Sequence, residues 1–431
     1  ASPIENAYGP NVHDPRSGEI LESHICWYHN VMSLVHDWYM VQASSIDEAA
    51  RTMNFSEELM GQLIRFVSSH EVGHTLGLRH NFGSSSTVPV DSLRNKAWVE
   101  AHGHTPSIMD YARFNYVAQP EDNISRAGIF PRINDYDEWA IRWGYTYLPD
   151  AKDEDDDHRL MEEMTAKSQE NPRLWWGDGE TSLGRLDPRC QTEDLGDDAM
   201  KASTYGIQNL KYEISRLPEW TSDDPKDIYG DALERMYQQI RGQFLRYCGH
   251  VTRNIGGVLY TYRTKEQPGD KYVPQPLEKQ KAALKFMDEQ VLQEPMWLRD
   301  MSYAQRFTAN PEELTLGVGT TCMRMLMDRL DVKNETYTPQ AYLTDLTRLV
   351  FSEARTGEKV SNYRKNLQSQ MLEHLLRANG NSNAYIQPAV LYTLQQLQQL
   401  TKQAKQSARD AESRAHWALL YDQIGRRLTW K

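Results

Sequence analysis

The sequence predicts an α+β fold that is predominantly α. Three observations carry this. Near the start one segment reads as a strand, Glu19 to Trp27, after the turn-rich Asp14-Pro15-Arg16-Ser17-Gly18. From Leu59 to His74 apolar residues and histidines recur at helical spacing, and from about Met200 onward helical stripes dominate. At 431 residues the chain is long enough for two or three domains with a sizeable core.

The first expected helix runs from about Tyr28 to Val41. The second starts at Ser56, a residue suited to cap a helix, with Glu57 and Glu58 placed to favour the positive end of its dipole. Leu59, Leu63, Phe66, Val67, His70 and His74 then line one face, so two histidines continue an apolar, core-directed stripe. The end of this helix reads His70-Glu71-Val72-Gly73-His74-Thr75-Leu76-Gly77-Leu78-Arg79-His80, the pattern H-E-x-x-H-x-x-G-x-x-H. His70 and His74 stand one turn apart and can reach one ion. Glu71 is offset from that face but near enough to act as a base toward water at the metal. Gly73 permits close packing, and Gly77 lets the chain leave the helix in a conformation that other residues adopt at a cost. The turn returns His80 as third ligand and leaves a fourth position open. The expectation is one catalytic zinc ion.

Downstream stands Ser107-Ile108-Met109-Asp110-Tyr111-Ala112-Arg113-Phe114, and then Asp135-Tyr136-Asp137-Glu138-Trp139-Ala140-Ile141-Arg142-Trp143-Gly144-Tyr145. With the zinc motif these segments resemble the metzincin clan of zinc peptidases, in which a methionine turn runs beneath the metal. The resemblance implies that Met109 floors the three imidazoles. It implies that Tyr111 matches the tyrosine that approaches zinc in astacin-like and serralysin-like enzymes and stabilises the oxyanion. It also implies that the Asp135 segment is the helix closing the catalytic domain, with Trp139, Ile141 and Trp143 as core. Asn81, after the third histidine, departs from the Glu, Asp or Pro of several familiar subfamilies. His80-Asn81-Phe82-Gly83-Ser84-Ser85-Ser86, Asp187-Pro188-Arg189 and Asp194-Leu195-Gly196-Asp197-Asp198 instead resemble a family of bacterial zinc-dependent metalloproteases. The implied architecture is a partial metzincin-like catalytic region over residues 1–148, an acidic connecting segment over 149–185 and an irregular helical domain over 186–431. Metzincins usually carry several strands before the zinc helix, so the resemblance makes this chain part of a longer precursor with further domains. It places the protein in the periplasm or outside the cell, and makes the Glu19–Trp27 strand the cleft edge to which a substrate peptide adds.

The remaining segments carry less chemistry. Asp153-Glu154-Asp155-Asp156-Asp157 reads as a solvated linker or helix start, while Glu193, Asp194, Asp197 and Asp198 form an acidic loop that is a candidate for calcium. Thr338 followed by Pro339 marks a helix start, with Tyr342, Leu343, Leu346, Leu349 and Val350 on one face; Tyr363, Leu367, Met371 and Leu375 mark another. Such a helical domain could wall the cleft or recognise substrate. His102 and His104 read as solvated loop residues. Cys26, Cys190, Cys248 and Cys322 are widely spaced, and the sequence leaves thiols and disulfides both open. A net charge of -12 disfavours nucleic acid and anionic membranes as partners, and no apolar run is long enough to span a bilayer. The reading is a zinc metallopeptidase acting on peptide or protein. Its rivals are a zinc hydrolase of a non-protein substrate, and a catalytically silent piece with a binding or scaffold role.

Overall fold

The computed structural model describes residues 4–168, 170–181, 186–225, 227–263, 265, 267–332, 335–379 and 383–429. Helix accounts for 59% and strand for 4%, so the fold is α+β and predominantly α. Two compact units divide the chain: Ala1–His250 with Val258–Val273, and Val251–Gly257 with Pro274–Lys431.

The first unit opens with four short strands, β1 (Ala7–Tyr8), β2 (Asn11–His13), β3 (Ile20–Ser23) and β4 (Cys26–Trp27). β1 pairs antiparallel with β4, and β2 with β3, with an irregular register between Val12 and His13. The strand expected over Glu19–Trp27 is thus two strands, interrupted at His24 and Ile25, and its partner lies upstream in residues 7–13. Alternation could not reveal that partner, because Gly9 and Pro10 cut it into runs too short to show a period.

Two helices follow, α1 (Val31–Ala43) and α2 (Glu57–Thr75). Ser56 caps α2 as expected, its Oγ accepting the Leu59 N–H at 3.2 Å. Val35, Tyr39 and Ala43 of α1 and Leu59, Leu63, Phe66 and Val67 of α2 share one buried cluster with Ile108, Met109 and Phe114. At roughly 25 cal/mol per Å² of apolar surface, each of the Val, Leu, Ile, Phe and Met side chains contributes about 1.5–3 kcal/mol. That burial holds α2 in place. Beyond it come α3 (Val90–Leu93), α4 (Lys96–His102), α5 (Arg126–Ile129), α6 (Asp135–Tyr145), α7 (Glu154–Ser168), α8 (Ala199–Ile214), α9 (Leu217–Trp220) and α10 (Asp231–Thr252). The acidic run is the first turn of α7, the helix start that its charge suits. A hairpin of β5 (Val258–Tyr260) and β6 (Tyr272–Pro274) follows α10. Residues 149–250 fall within this first unit.

α6 forms where expected but buries a different face. Tyr136, Asp137 and Ala140 are buried, Trp139 and Ile141 are half-buried, and Trp143 is exposed. The aromatic residues suggested one stripe, but the Asn134–Asp137 capping box turns the carboxylate inward instead.

The second unit comprises α11 (Leu277–Met287), α12 (Glu312–Asp328), α13 (Pro339–Val350), α14 (Glu353–Thr356), α15 (Asn362–Ala378), α16 (Gln387–Ser407) and α17 (Ala411–Thr429). Thr338 caps α13 through the Ala341 N–H, with Pro339 in its first turn. Val318, Cys322 and Leu326 of α12 and Tyr363, Leu367 and Met371 of α15 are fully or almost fully buried. The four cysteines are thiols. No helix among the described residues is long and apolar enough to cross a membrane.

Candidate metal centre

Each motif histidine has its Nδ1 committed to an acceptor. His70 Nδ1 donates to the Ile108 carbonyl at 2.8 Å, His74 Nδ1 to the Leu78 carbonyl at 2.9 Å, and His80 Nδ1 to Glu180 Oε1 at 2.8 Å. In a neutral imidazole this leaves the lone pair on Nε2. The three Nε2 atoms converge, with His74 Nε2 at 3.1 Å from both His70 Nε2 and His80 Nε2. Ligands about 2.0–2.1 Å from zinc on a tetrahedron stand roughly 3.3 Å apart, so the spacing fits that ion. Three lone pairs directed at one another also repel unless a cation lies between them. Burial drives His70 down to about 3, which keeps it in the neutral form that ligates. Among the described residues, no other group of three His, Cys, Asp or Glu side chains comes together closely enough to hold an ion.

The local sequence explains the placement of the ligands. α2 ends at Thr75, and Gly77 takes a left-handed φ of 87°, which reverses the chain so that the Leu78 N–H reaches the Gly73 carbonyl at 3.0 Å. Gly73 matters for space: a Cβ there would run into Met109 Sδ. Met109 is fully buried against it, beneath the helix that carries His70 and His74. The β2–β3 pair is tied to the same helix, Asn11 Nδ2 donating to the His74 carbonyl at 3.1 Å.

Asp137 locks the methionine turn. Its Oδ1 accepts from Ser107 Oγ at 2.6 Å, and its Oδ2 accepts from the Ile108 N–H at 2.7 Å and the Asn134 N–H at 3.0 Å. Ile108 in turn offers its carbonyl to His70, so α6 sets the orientation of a metal-facing ring through the turn. Packing was the only role expected of α6. The signal that could have shown more is the capping-box spacing of Asn134 and Asp137.

Glu71 is buried, and its Oε2 has no hydrogen-bond partner among the described residues. Burial raises its pKa, while His74 and the backbone N–H of Gly9 pull the other way. The Tyr111 ring lies 5.0 Å from the His70 ring and 4.6 Å from that of His80, centroid to centroid. Sequence reasoning missed what holds it. The Arg113 guanidinium is sandwiched between Trp38, at 3.5 Å, and Tyr111, at 4.5 Å from the ring centroids. Arg113 takes a left-handed φ of 58°, which costs a non-glycine residue about 1–2 kcal/mol. The Tyr111 carbonyl accepts the Glu193 N–H at 2.8 Å. The Glu193 carboxylate faces Arg246 at 3.0 Å, Arg113 at 3.8 Å and Gln42 Nε2 at 2.8 Å.

Two further members of the candidate calcium loop are engaged, Asp197 with the Val90 N–H and Asp198 with the first turn of α8. His102 is exposed, but His104 is fully buried and bonded to the Arg113 carbonyl at 3.1 Å. It is a structural pin rather than a solvated loop residue. The Gly- and Pro-containing loop is held by the start of α6, where Asn134 Nδ2 donates to the His102 and Thr105 carbonyls and the Tyr136 N–H to the Pro106 carbonyl.

Asp110, between Met109 and Tyr111, accepts from the Ser85 N–H at 2.6 Å and Thr105 Oγ1 at 3.0 Å. Burial raises it to about 8. An unfolded aspartate loses its proton near about 3.9. Between these values the unfolded chain binds fewer protons, so this group's contribution to stability falls as pH rises. Asp110→Asn removes the effect. Melting of the metal-free chain is therefore expected to show a gain for Asp110→Asn over wild type that grows from about pH 4 to pH 8. A gain that stays constant across that range would refute the linkage.

No curated protein and no solved structure gives a significant match to the chain. The Met-zincin family does match, over residues 52–358. That span is well over half of the chain and contains the three convergent histidines, the turn at Met109 and the helix that locks it. The chain belongs to the Met-zincin family, whose chemistry is of the zinc-metallopeptidase type.

Proposed function

We propose that this protein hydrolyses peptide bonds with one zinc ion and Glu71 as general base. One observation carries the reading: three Nε2 lone pairs converge next to Glu71, whose buried Oε2 has no hydrogen-bond partner among the described residues. His70, His74 and His80 would hold the ion, with a fourth position open to water and substrate. Zinc there supplies Lewis acidity, lowering the pKa of water and polarising the scissile carbonyl.

The chain's own residues do the rest. Glu71 takes the proton as water attacks and delivers it to the departing amine. Its raised pKa brings it nearer to working pH, where a base that must later serve as an acid is most effective. The Tyr111 hydroxyl donates to the developing oxyanion. Burial raises its pKa, so the proton it donates stays in place at neutral pH. Arg113 stacks on that ring and fixes its angle.

The test combines elemental analysis with cleavage of a quenched peptide library. Wild type is expected to hold close to one zinc per chain and to cleave. His80→Ala is expected to lose zinc affinity by several orders of magnitude and activity with it, because two imidazoles on one helix make a poor site. Full occupancy at unchanged affinity would remove His80 from the ligand set. Cleavage of small esters but no peptide would make the substrate something other than protein.

A further inference from the structure

His70 and His74 owe their positions to a helix, whereas His80 stands past its end, on a loop. Something else must hold it. The segment from Trp175 to Thr181, about a hundred residues downstream, lies along that loop and is bonded to it repeatedly. Trp176 Nε1 donates to the His80 carbonyl at 2.9 Å, and Asn81 Nδ2 donates to the Trp175 carbonyl at 3.0 Å. The Gly177 N–H donates to Asn81 Oδ1 at 2.9 Å, and the Gly83 N–H to the Gly177 carbonyl at 3.2 Å. Next in the segment is Glu180, and its two oxygens are divided: Oε1 receives His80 Nδ1 at 2.8 Å and Oε2 receives Arg79 at 3.2 Å. Its own N–H is fixed by Asp178 Oδ1 at 2.8 Å.

From this arrangement we infer that Glu180 is a positioning residue for the third metal ligand, acting through His80 from a segment outside the zinc motif. The inference rests on the zinc reading above. The plainer account is a half-exposed ion pair with Arg79, which by itself contributes little. Two features go beyond that account. The acceptor oxygen faces a ligand ring, and the ring is the one that its own helix does not orient. The acceptors also differ in kind, since His70 and His74 donate to neutral carbonyls and His80 alone donates to a carboxylate. A charged acceptor at Nδ1 fixes ring rotation and enriches Nε2 in electron density, making it a stronger donor to a cation.

The experiment uses the full chain, with Glu180→Ala and Glu180→Gln beside wild type. Zinc affinity is measured by competition with a chromogenic chelator, and the visible spectrum of the cobalt(II)-loaded protein reports the geometry of the ligands. Melting of the metal-free chains controls for folding. Glu180→Ala is expected to weaken zinc binding about 10- to 100-fold and to alter the cobalt bands. Glu180→Gln keeps an acceptor oxygen without the charge and is expected to fall between the two; it also keeps the test decisive if the alanine variant folds poorly. If both variants bind zinc as tightly as wild type and share its cobalt spectrum, the inference fails and the peptidase reading stands. If wild type takes up no zinc, the peptidase reading fails, and this inference with it.

Discussion

Replacing Glu71 by Gln is expected to leave zinc bound and to lower peptide cleavage by about 10²–10⁴-fold, the contribution usual for a positioned general base. That loss corresponds to roughly 3–5 kcal/mol of transition-state stabilisation. The two effects separate because the ligand cluster consists of His70, His74 and His80, without Glu71. Gln has nearly the same shape, so it fills the buried space that Glu71 occupies. It cannot take a proton. Metal analysis and turnover of a quenched peptide should therefore part company in this variant. Cleavage at the wild-type rate would eliminate Glu71 as the base. Loss of zinc together with activity would mean that the carboxylate helps to hold the ion, and the assignment of roles would have to change.

The second large effect is expected at Asp137. Asp137→Ala strips three donors of a partner, the buried Ser107 Oγ and Ile108 N–H and the part-buried Asn134 N–H. Each orphaned buried donor costs about 1–3 kcal/mol, and neighbouring losses do not add fully, so on the order of 3–5 kcal/mol is expected. For a unit of this size that is a melting shift on the order of 10 °C. The same change frees the methionine turn, whose Ile108 carbonyl holds His70, so zinc affinity should fall as well. Asp137→Asn keeps an acceptor for one or two of the donors and should lie between. If the alanine variant melted and bound zinc like wild type, Asp137 would not be what locks the turn.

How much of this was legible beforehand depends on distance along the chain. Ser56, the α2 stripe, the two ligands one turn apart and the glycine exit all lie within about one helix and one turn. Covalent geometry and helical pitch then place them relative to one another with little help from the rest of the fold. The cap on α13 was legible for the same reason, and a helix start was one of the two readings of the acidic run. The hairpin was half legible: the turn at Asp14–Gly18 was plain, but its upstream partner strands were too short to show a period. α6 was found, and its buried face was not, because aromatic content outweighed the capping box in the sequence reading.

By itself, then, the sequence picked out three histidines that come close enough together to hold a metal ion, the neighbouring carboxylate, the methionine and tyrosine that follow, and a predominantly helical fold. Only the tertiary structure decided which groups hold those residues still. Glu180 reaches His80 across 100 residues, and Gln42 reaches Glu193 across 151. Asp137 meets Ile108 across 29. Many carboxylates could in principle have met these partners, and nothing in local propensity distinguishes among them. For Asp137 and Gln42 the choice is made by burial, which closes the core around α1, α2 and the methionine turn and demands an acceptor for each enclosed donor.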